Sequence, residues 1–154
     1  MAIIPHKAYK VTEYNLTNAP NLLRWALADE EAAHETLLSL PGSGWGNGEI
    51  KGKGNHSSTV ERTAIALAGY GEKVTRAKAW QSIADEIRIM FPPGSPEGDF
   101  FEGYFVQHMT IADIVAATTL ERQTAYNYRD KIVINAARLA AECGLIKIKH
   151  TQEG

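Results

Sequence analysis

Two helices and the turn between them can be read directly from residues 109–145, MTIADIVAATTLERQTAYNYRDKIVINAARLAAECGL. Thr110 is placed to cap a short helix from Ile111 to about Ala117, with Ile111, Ile114 and Val115 turned inward. Thr118-Thr119-Leu120 is short and β-branched, which predicts a tight turn. A longer helix then begins at Glu121. Its apolar positions Ala125, Tyr128, Ile132, Ala136, Leu139 and Cys143 recur every three or four residues, the period of one helix face. Gly144 suits the left-handed position that closes a helix, with Leu145 after it for the accompanying apolar contact. The pattern of helix, short turn and longer helix, preceded by another helix, predicts a helix-turn-helix.

The second helix carries side chains suited to reading nucleic acid. Arg122, Gln123, Tyr126 and Asn127 are expected to face away from the stripe of Ala125, Tyr128 and Ile132. An arginine can fork onto guanine O6 and N7, and a glutamine or asparagine onto adenine N6 and N7. Thr124, Arg129 and Lys131 are expected to contact phosphates, as Tyr126 also could. Periodicity alone leaves a plain helical hairpin open, because polar residues face outward on any surface helix.

The wording of the segment resembles a family. Residues 109–115, MTIADIV, followed by 120–131, LERQTAYNYRDK, look like the region 4 helix-turn-helix of sigma factors. They are more similar still to small phage regulators of the RinA and ArpU type, which control late gene expression. The layout is also similar: an N-terminal helix, a Gly-rich stretch, a long helix, then a C-terminal helix-turn-helix. The ending Ala136, Leu139-Ala140, Gly144-Leu145 fits that layout as well. The resemblance implies that Arg122, Gln123, Tyr126 and Asn127 read bases and that Thr124 and Arg129 hold phosphates. Three positions depart from the pattern: Val115 stands where a small alanine is usual, Thr119 replaces a turn glycine, and Glu121 replaces a capping serine or threonine.

The resemblance further implies a sequence-specific, DNA-binding transcriptional regulator of phage or prophage origin, acting in the cytoplasm of a bacterial host. Its partners would be double-stranded DNA, with RNA polymerase and a second copy of the chain as further candidates. It implies no cofactor. Two alternatives stand beside it: a small terminase subunit that recognises phage DNA for packaging, and a helical adaptor that does not touch DNA.

Working outward, the rest of the chain also reads as helical, so the expected class is all-α. Residues 1–40 form an N-terminal helical segment, with a helix from about Pro20 to Leu40 capped by Thr17 or Asn18. Its stripe is Leu22, Trp25, Ala26, Asp29, Ala33, Thr36, Leu37 and Leu40. Residues 41–57 form a Gly-rich linker in which Trp45 is expected to anchor the loop, and no phosphate-binding loop or dinucleotide fingerprint is present. Residues 58–94 form a central helical region. Ser58 and Glu61 are expected to make a capping box, Val60, Ala64, Leu67 and Ala68 a buried side, and Gly69-Tyr70-Gly71 an interruption. The apolar pattern resumes at Val74, Ala77, Trp80, Ile83, Ala84, Ile87 and Met90. Residues 95–145 make the helix-turn-helix domain, opening with Ser95 as cap and Pro96 at the first position of a helix reaching about Gln107, whose Phe100, Phe101, Tyr104 and Phe105 are core. Residues 146–154 are a tail, and only 145–149 alternate as a strand would.

Composition sets outer limits. The chain has 154 residues, 44% of them hydrophobic and 22% charged, enough to build a packed core. No apolar run approaches the roughly 18 residues of a membrane span, and the first residues carry no apolar stretch like that of a signal peptide. A single cysteine, Cys143, excludes an internal disulfide and a cysteine-based zinc site. A formal net charge of -2 excludes binding to nucleic acid by bulk charge alone. The charge is uneven, however: residues 51–90 carry seven basic and four acidic side chains, while the flanking thirds are net acidic. Lys73, Arg76 and Lys78 are therefore expected to contribute phosphate contacts. No enzyme is expected. The five histidines are scattered, the Glu30, Glu31, His34 and Glu35 group reads as a solvated acidic face, and neither Ser57-Ser58 nor Cys143 has a nucleophile's local signature.

Overall fold

The computed structural model describes residues 4–38 and 55–148. They are all-helical, with no strand among the described residues. Helix α1 spans His6–Leu38 and α2 spans Asn55–Met90. A short helix α3, Pro96–Phe101, continues directly into a π-helical turn over Glu102–Val106. Helix α4, Ile111–Ala117, and helix α5, Arg122–Glu142, are the last helices among the described residues. The chain divides into two compact units, residues 21–77 in one and residues 1–20 with 78–154 in the other.

Helix α1 begins fourteen residues before the Pro20 start expected from the sequence, and Pro20 lies inside it. The two expected caps, Thr17 and Asn18, explain the difference. Thr17 Oγ1 donates back to Glu13 O at 2.9 Å, and Asn18 Nδ2 donates to Tyr14 O at 2.9 Å. Both bond to the preceding turn instead of capping the next one. An internal proline removes one ladder bond and crowds the carbonyl four residues back. Burial of Ala8, Thr12, Leu16 and Ala19, spaced by four, four and three residues, offsets that cost. Farther along α1, Ala26 is buried as expected, but Trp25 is 46% exposed.

Helix α2 starts at Asn55, so Ser58 stands inside the helix and not at its cap. Gly69-Tyr70-Gly71 does not interrupt it. The backbone ladder needs no side chain, and two glycines cost only about 1 kcal/mol each relative to alanine. In the second half Ala77, Trp80, Ile83, Ala84 and Ile87 are buried, whereas Met90 is exposed. The glycine-rich stretch through residue 54, Trp45 within it, the side chains of Val60, Ala64, Leu67 and Ala68, and the tail from residue 149 lie outside the described residues. Residues 145–148 are not a strand.

The unit formed by residues 1–20 and 78–154 has an aromatic core. Ser95 caps α3 by accepting from Gly98 N at 3.0 Å, with Pro96 at the first helical position. Phe100, Phe101 and Phe105 are buried. Phe100 stacks on Tyr104 at 5.3 Å and meets Tyr128 edge-on at 6.1 Å. Arg88 pairs with Glu102 at 3.0 Å and lies over the Phe101 ring. Helix α5 packs on both α3 and α4.

Thr110 caps α4 through a capping box: its hydroxyl accepts from Asp113 N at 3.0 Å, and Asp113 Oδ2 accepts from Thr110 N at 3.1 Å. Ile111 and Ile114 are buried, but Val115 is only half-buried, so Ile114 and not Val115 fills the inner position of α4. In the turn Thr118 Oγ1 donates to Ile114 O at 2.7 Å and accepts from Leu120 N at 3.1 Å. The β-branched residue thereby satisfies both the end of α4 and the backbone after it. Glu121 occupies the cap position of α5 without a side-chain cap bond. At the far end Gly144, at φ 78°, donates to Ala141 O, and Leu145 N donates to Ala140 O at 2.8 Å. These are the two bonds of a Schellman closure. Cys143, expected on the buried stripe, is exposed at that closure.

Candidate nucleic-acid interface and adjoining cleft

Helix α5 has a wider inner sector than the single stripe foreseen. Ala125, Ile132 and Ala136 are fully buried, but so are Val133, Ala137 and Ala140. Positions 122, 126, 129, 133 and 136 step by four, three, four and three, and so lie along one face. Toward the C-terminus that face is apolar and buried, and toward the N-terminus it carries Arg122, Tyr126 and Arg129. The sequence stripe concealed this second row because its first three members are polar.

The candidate base-reading residues therefore separate into two sets. Gln123 and Asn127 are exposed, and Gln123 Nε2 donates to Asn127 Oδ1 at 3.0 Å. That bond leaves the Gln123 carbonyl oxygen as an acceptor and the Asn127 amide as a donor, side by side one helical turn apart. Arg122 is exposed, and Tyr126 is half-buried. Both, with Arg129, line an open cleft of about 470 Å³ that also touches Tyr104, His108 and Thr110. All the residues lining it belong to the unit of residues 1–20 and 78–154.

Arg129 forms the inner end of the cleft. Its guanidinium lies 5.0 Å from the Tyr126 ring centre and 5.8 Å from that of Tyr9. It pairs with Asp130 at 3.4 Å, and its side chain is 26% exposed. The Nε atom is buried with no hydrogen-bond partner among the described residues. Burial alone would lower its pKa, but the Tyr104 hydroxyl, Tyr9 and Asp130 together push it further up, so the guanidinium is held in its charged form. Behind it Tyr9 donates to Asp130 Oδ1 at 2.5 Å, and Tyr104 donates to Glu13 Oε2 at 2.8 Å. Burial raises both phenol pKa values, and the hydrogen bonds to the two carboxylates raise them further. Tyr9, Glu13, Tyr104, Asp130 and His108 were not singled out for this cluster from the sequence. Tyr9 and Glu13 sit four residues apart at the start of α1, a signal hidden by the placement of a helix start at Pro20.

The other candidate phosphate contacts are distributed differently. Thr124 is half-buried. Lys131 is 3.1 Å from Glu97 and lies over the Phe91 ring. That hydrogen bond is the main cause of a lowered Glu97 pKa. Lys73 pairs with Asp29 at 3.3 Å and approaches the Tyr70 ring. Lys73 and Arg76 belong to the unit of residues 21–77, and exposed Lys78 begins the other stretch.

The backbone around the cleft departs from regular helix. Gln107 N donates to Glu102 O at 2.9 Å, the five-residue spacing of a π-turn. His108 then adopts φ 60°, the left-handed region that glycine usually fills, and Met109 N donates to Gly103 O at 2.9 Å. No three or more His, Cys, Asp or Glu side chains are gathered as a metal site among the described residues, and no described helix is long and apolar enough to cross a membrane. No protein-family model, no curated protein and no solved structure matches the chain.

Proposed function

We propose that the chain binds double-stranded DNA sequence-specifically through α4, the turn and α5 acting as a helix-turn-helix, and that it regulates transcription. The observation that carries this reading is the exposed Gln123–Asn127 amide pair at the N-terminal end of α5. One free acceptor and one free donor side by side match the donor and acceptor that adenine shows in the major groove. Arg122, exposed one position before Gln123, adds a fork suited to guanine or to phosphate. Arg122, Arg129 and Lys131 outnumber Glu121 and Asp130 along residues 121–131, which favours DNA over the adaptor reading. The sequence resemblance narrows the task to phage late-gene control, with RNA polymerase or a second copy of the chain as added partners.

The test is a mobility-shift titration of the full chain on DNA selected from a random pool, with salt varied. Gln123→Ala and Asn127→Ala should each weaken the selected site while leaving random DNA unchanged. Failure of the wild type to select any sequence at low salt would remove the reading.

A further inference from the structure

We propose that the cleft between α4, the π-helical turn and α5 is a binding site for a phosphoryl group, gripped by Arg122 and Arg129 with His108 at its edge. Its lining includes two arginines and a histidine and no carboxylate. Behind it Glu13 accepts from the Tyr104 hydroxyl, and Asp130 accepts from the Tyr9 hydroxyl and pairs with Arg129 at 3.4 Å, while Asp113 is engaged in the cap of Thr110. Arg122 makes no ion pair or hydrogen bond among the described residues, although it lines the cleft. Arg129 is fixed between two tyrosine rings and keeps a buried, unpartnered Nε. A guanidinium positioned this way has given up its rotamer freedom before any ligand arrives, which lowers the cost of binding. The left-handed backbone of His108 points the same way, since such conformations persist where the surrounding structure enforces them and gather at ligand sites. At about 470 Å³ the cleft falls within the size range of small-molecule pockets. Tyr104 and Tyr126 supply aromatic surface beside the cations, so a phosphate ester carrying a planar ring fits better than bare phosphate.

Two sources offer that chemistry, a free phosphate ester such as a nucleoside monophosphate and the backbone of DNA. The cleft can hold a phosphoryl group whether or not Gln123 and Asn127 read bases. The experiment is calorimetric titration of the full chain at low salt with inorganic phosphate, adenosine 5′-monophosphate and a random-sequence duplex in separate arms. Arg122→Ala, Arg122→Lys and the outward control Arg138→Ala are run in parallel, with circular dichroism to confirm that each variant is folded. The expected result is saturable binding of the monophosphate, weakened roughly tenfold or more by Arg122→Ala, partly restored by lysine and unchanged by the control. Competition between the monophosphate and the duplex would place the DNA backbone in the same cleft. Monophosphate binding without any DNA binding would uphold the cleft and remove the regulator reading. The converse, DNA binding with neither phosphate nor monophosphate bound and no loss of random-duplex affinity in Arg122→Ala, would overturn the cleft and leave the regulator reading in place.

Discussion

The Tyr9 hydroxyl donates to the Asp130 carboxylate across 2.5 Å and so ties the first turn of α1 to the middle of α5, 121 residues later. A hydrogen bond to a charged, part-buried acceptor contributes about 1.5–3 kcal/mol. Tyr9→Phe keeps the ring over Arg129 and removes only the hydroxyl, so it should lower stability by about that amount, measured by urea unfolding. A loss much smaller than about 1 kcal/mol would mean that α1 does not depend on this tie.

The same bond sets a pH dependence. The Tyr9 and Tyr104 pKa values are both raised in the folded protein, by burial first and then by hydrogen bonds to Asp130 and Glu13. In the unfolded chain a phenol titrates near ~10. Above that pH the unfolded state loses protons that the native state retains, so stability should fall as pH rises. Below it the contribution is fully present. Tyr9→Phe and Tyr104→Phe should each flatten the fall in midpoint denaturant concentration on the alkaline side. A wild-type stability unchanged across that range would contradict the half-buried, carboxylate-bonded placement of both phenols.

Much of the C-terminal half was legible in the sequence because its signals are local. Ser95-Pro96, Thr110 and Gly144-Leu145 each act within four residues, and each forms the expected helix end, although the return bond from Asp113 to Thr110 was not read. What escaped was set by distant partners. Pro20 reads as a helix start unless the burial of Ala8, Leu16 and Ala19 is already known. Arg129 reads as a surface phosphate contact until Tyr9 and Tyr104, from two other elements, enclose it. The exposure of Gln123 and Asn127 was legible in the sequence, and their mutual hydrogen bond was not.

Glycine positions separate packing from propensity. A Cβ on Gly98 would lie 2.0 Å from Pro92 O and 2.6 Å from Phe91 O, both backbone atoms that cannot swing away. Gly98→Ala should therefore cost at least about 1–3 kcal/mol, the usual range for overpacking. Gly71, inside α2, has nothing within 4 Å of the same atom. Gly71→Ala should stabilise by about 0.5–1 kcal/mol through helix propensity alone. Thermal melts that moved both variants in one direction would contradict this contrast.

The inner position of α4 is testable in the same manner. Ile114 is 4% exposed, and Val115 is half-buried. Ile114→Asp buries an unpaired carboxylate and should cost roughly 2–5 kcal/mol, enough to disrupt the packing of α4 on α5. Val115→Asp can reach solvent and should cost about 1 kcal/mol or less. Equal losses, read from the near-ultraviolet circular dichroism of the surrounding tyrosines, would mean that α4 is rotated from its described orientation.

Charged and amide side chains should divide the work on DNA. Lys131 is anchored by Glu97 at 3.1 Å, and Lys73 by Asp29 at 3.3 Å, so each ammonium is already positioned on the surface. A lysine that meets a phosphate releases counterions regardless of sequence. Lys131→Ala and Lys73→Ala should therefore weaken selected and random DNA alike and flatten the salt slope by roughly one unit for each phosphate no longer neutralised. Asn127→Ala should instead cost about 1–3 kcal/mol on the selected site and leave the salt slope unchanged, because an amide releases no counterion. It also frees the Gln123 amide, whose donor is bonded to Asn127 in the intact pair. Gln123→Ala and the double variant should then fall short of additive, since each single change already disrupts the shared hydrogen bond. Strict additivity in a double-mutant cycle on the selected site would show that the two side chains act separately, and would remove the paired acceptor and donor as the reading element.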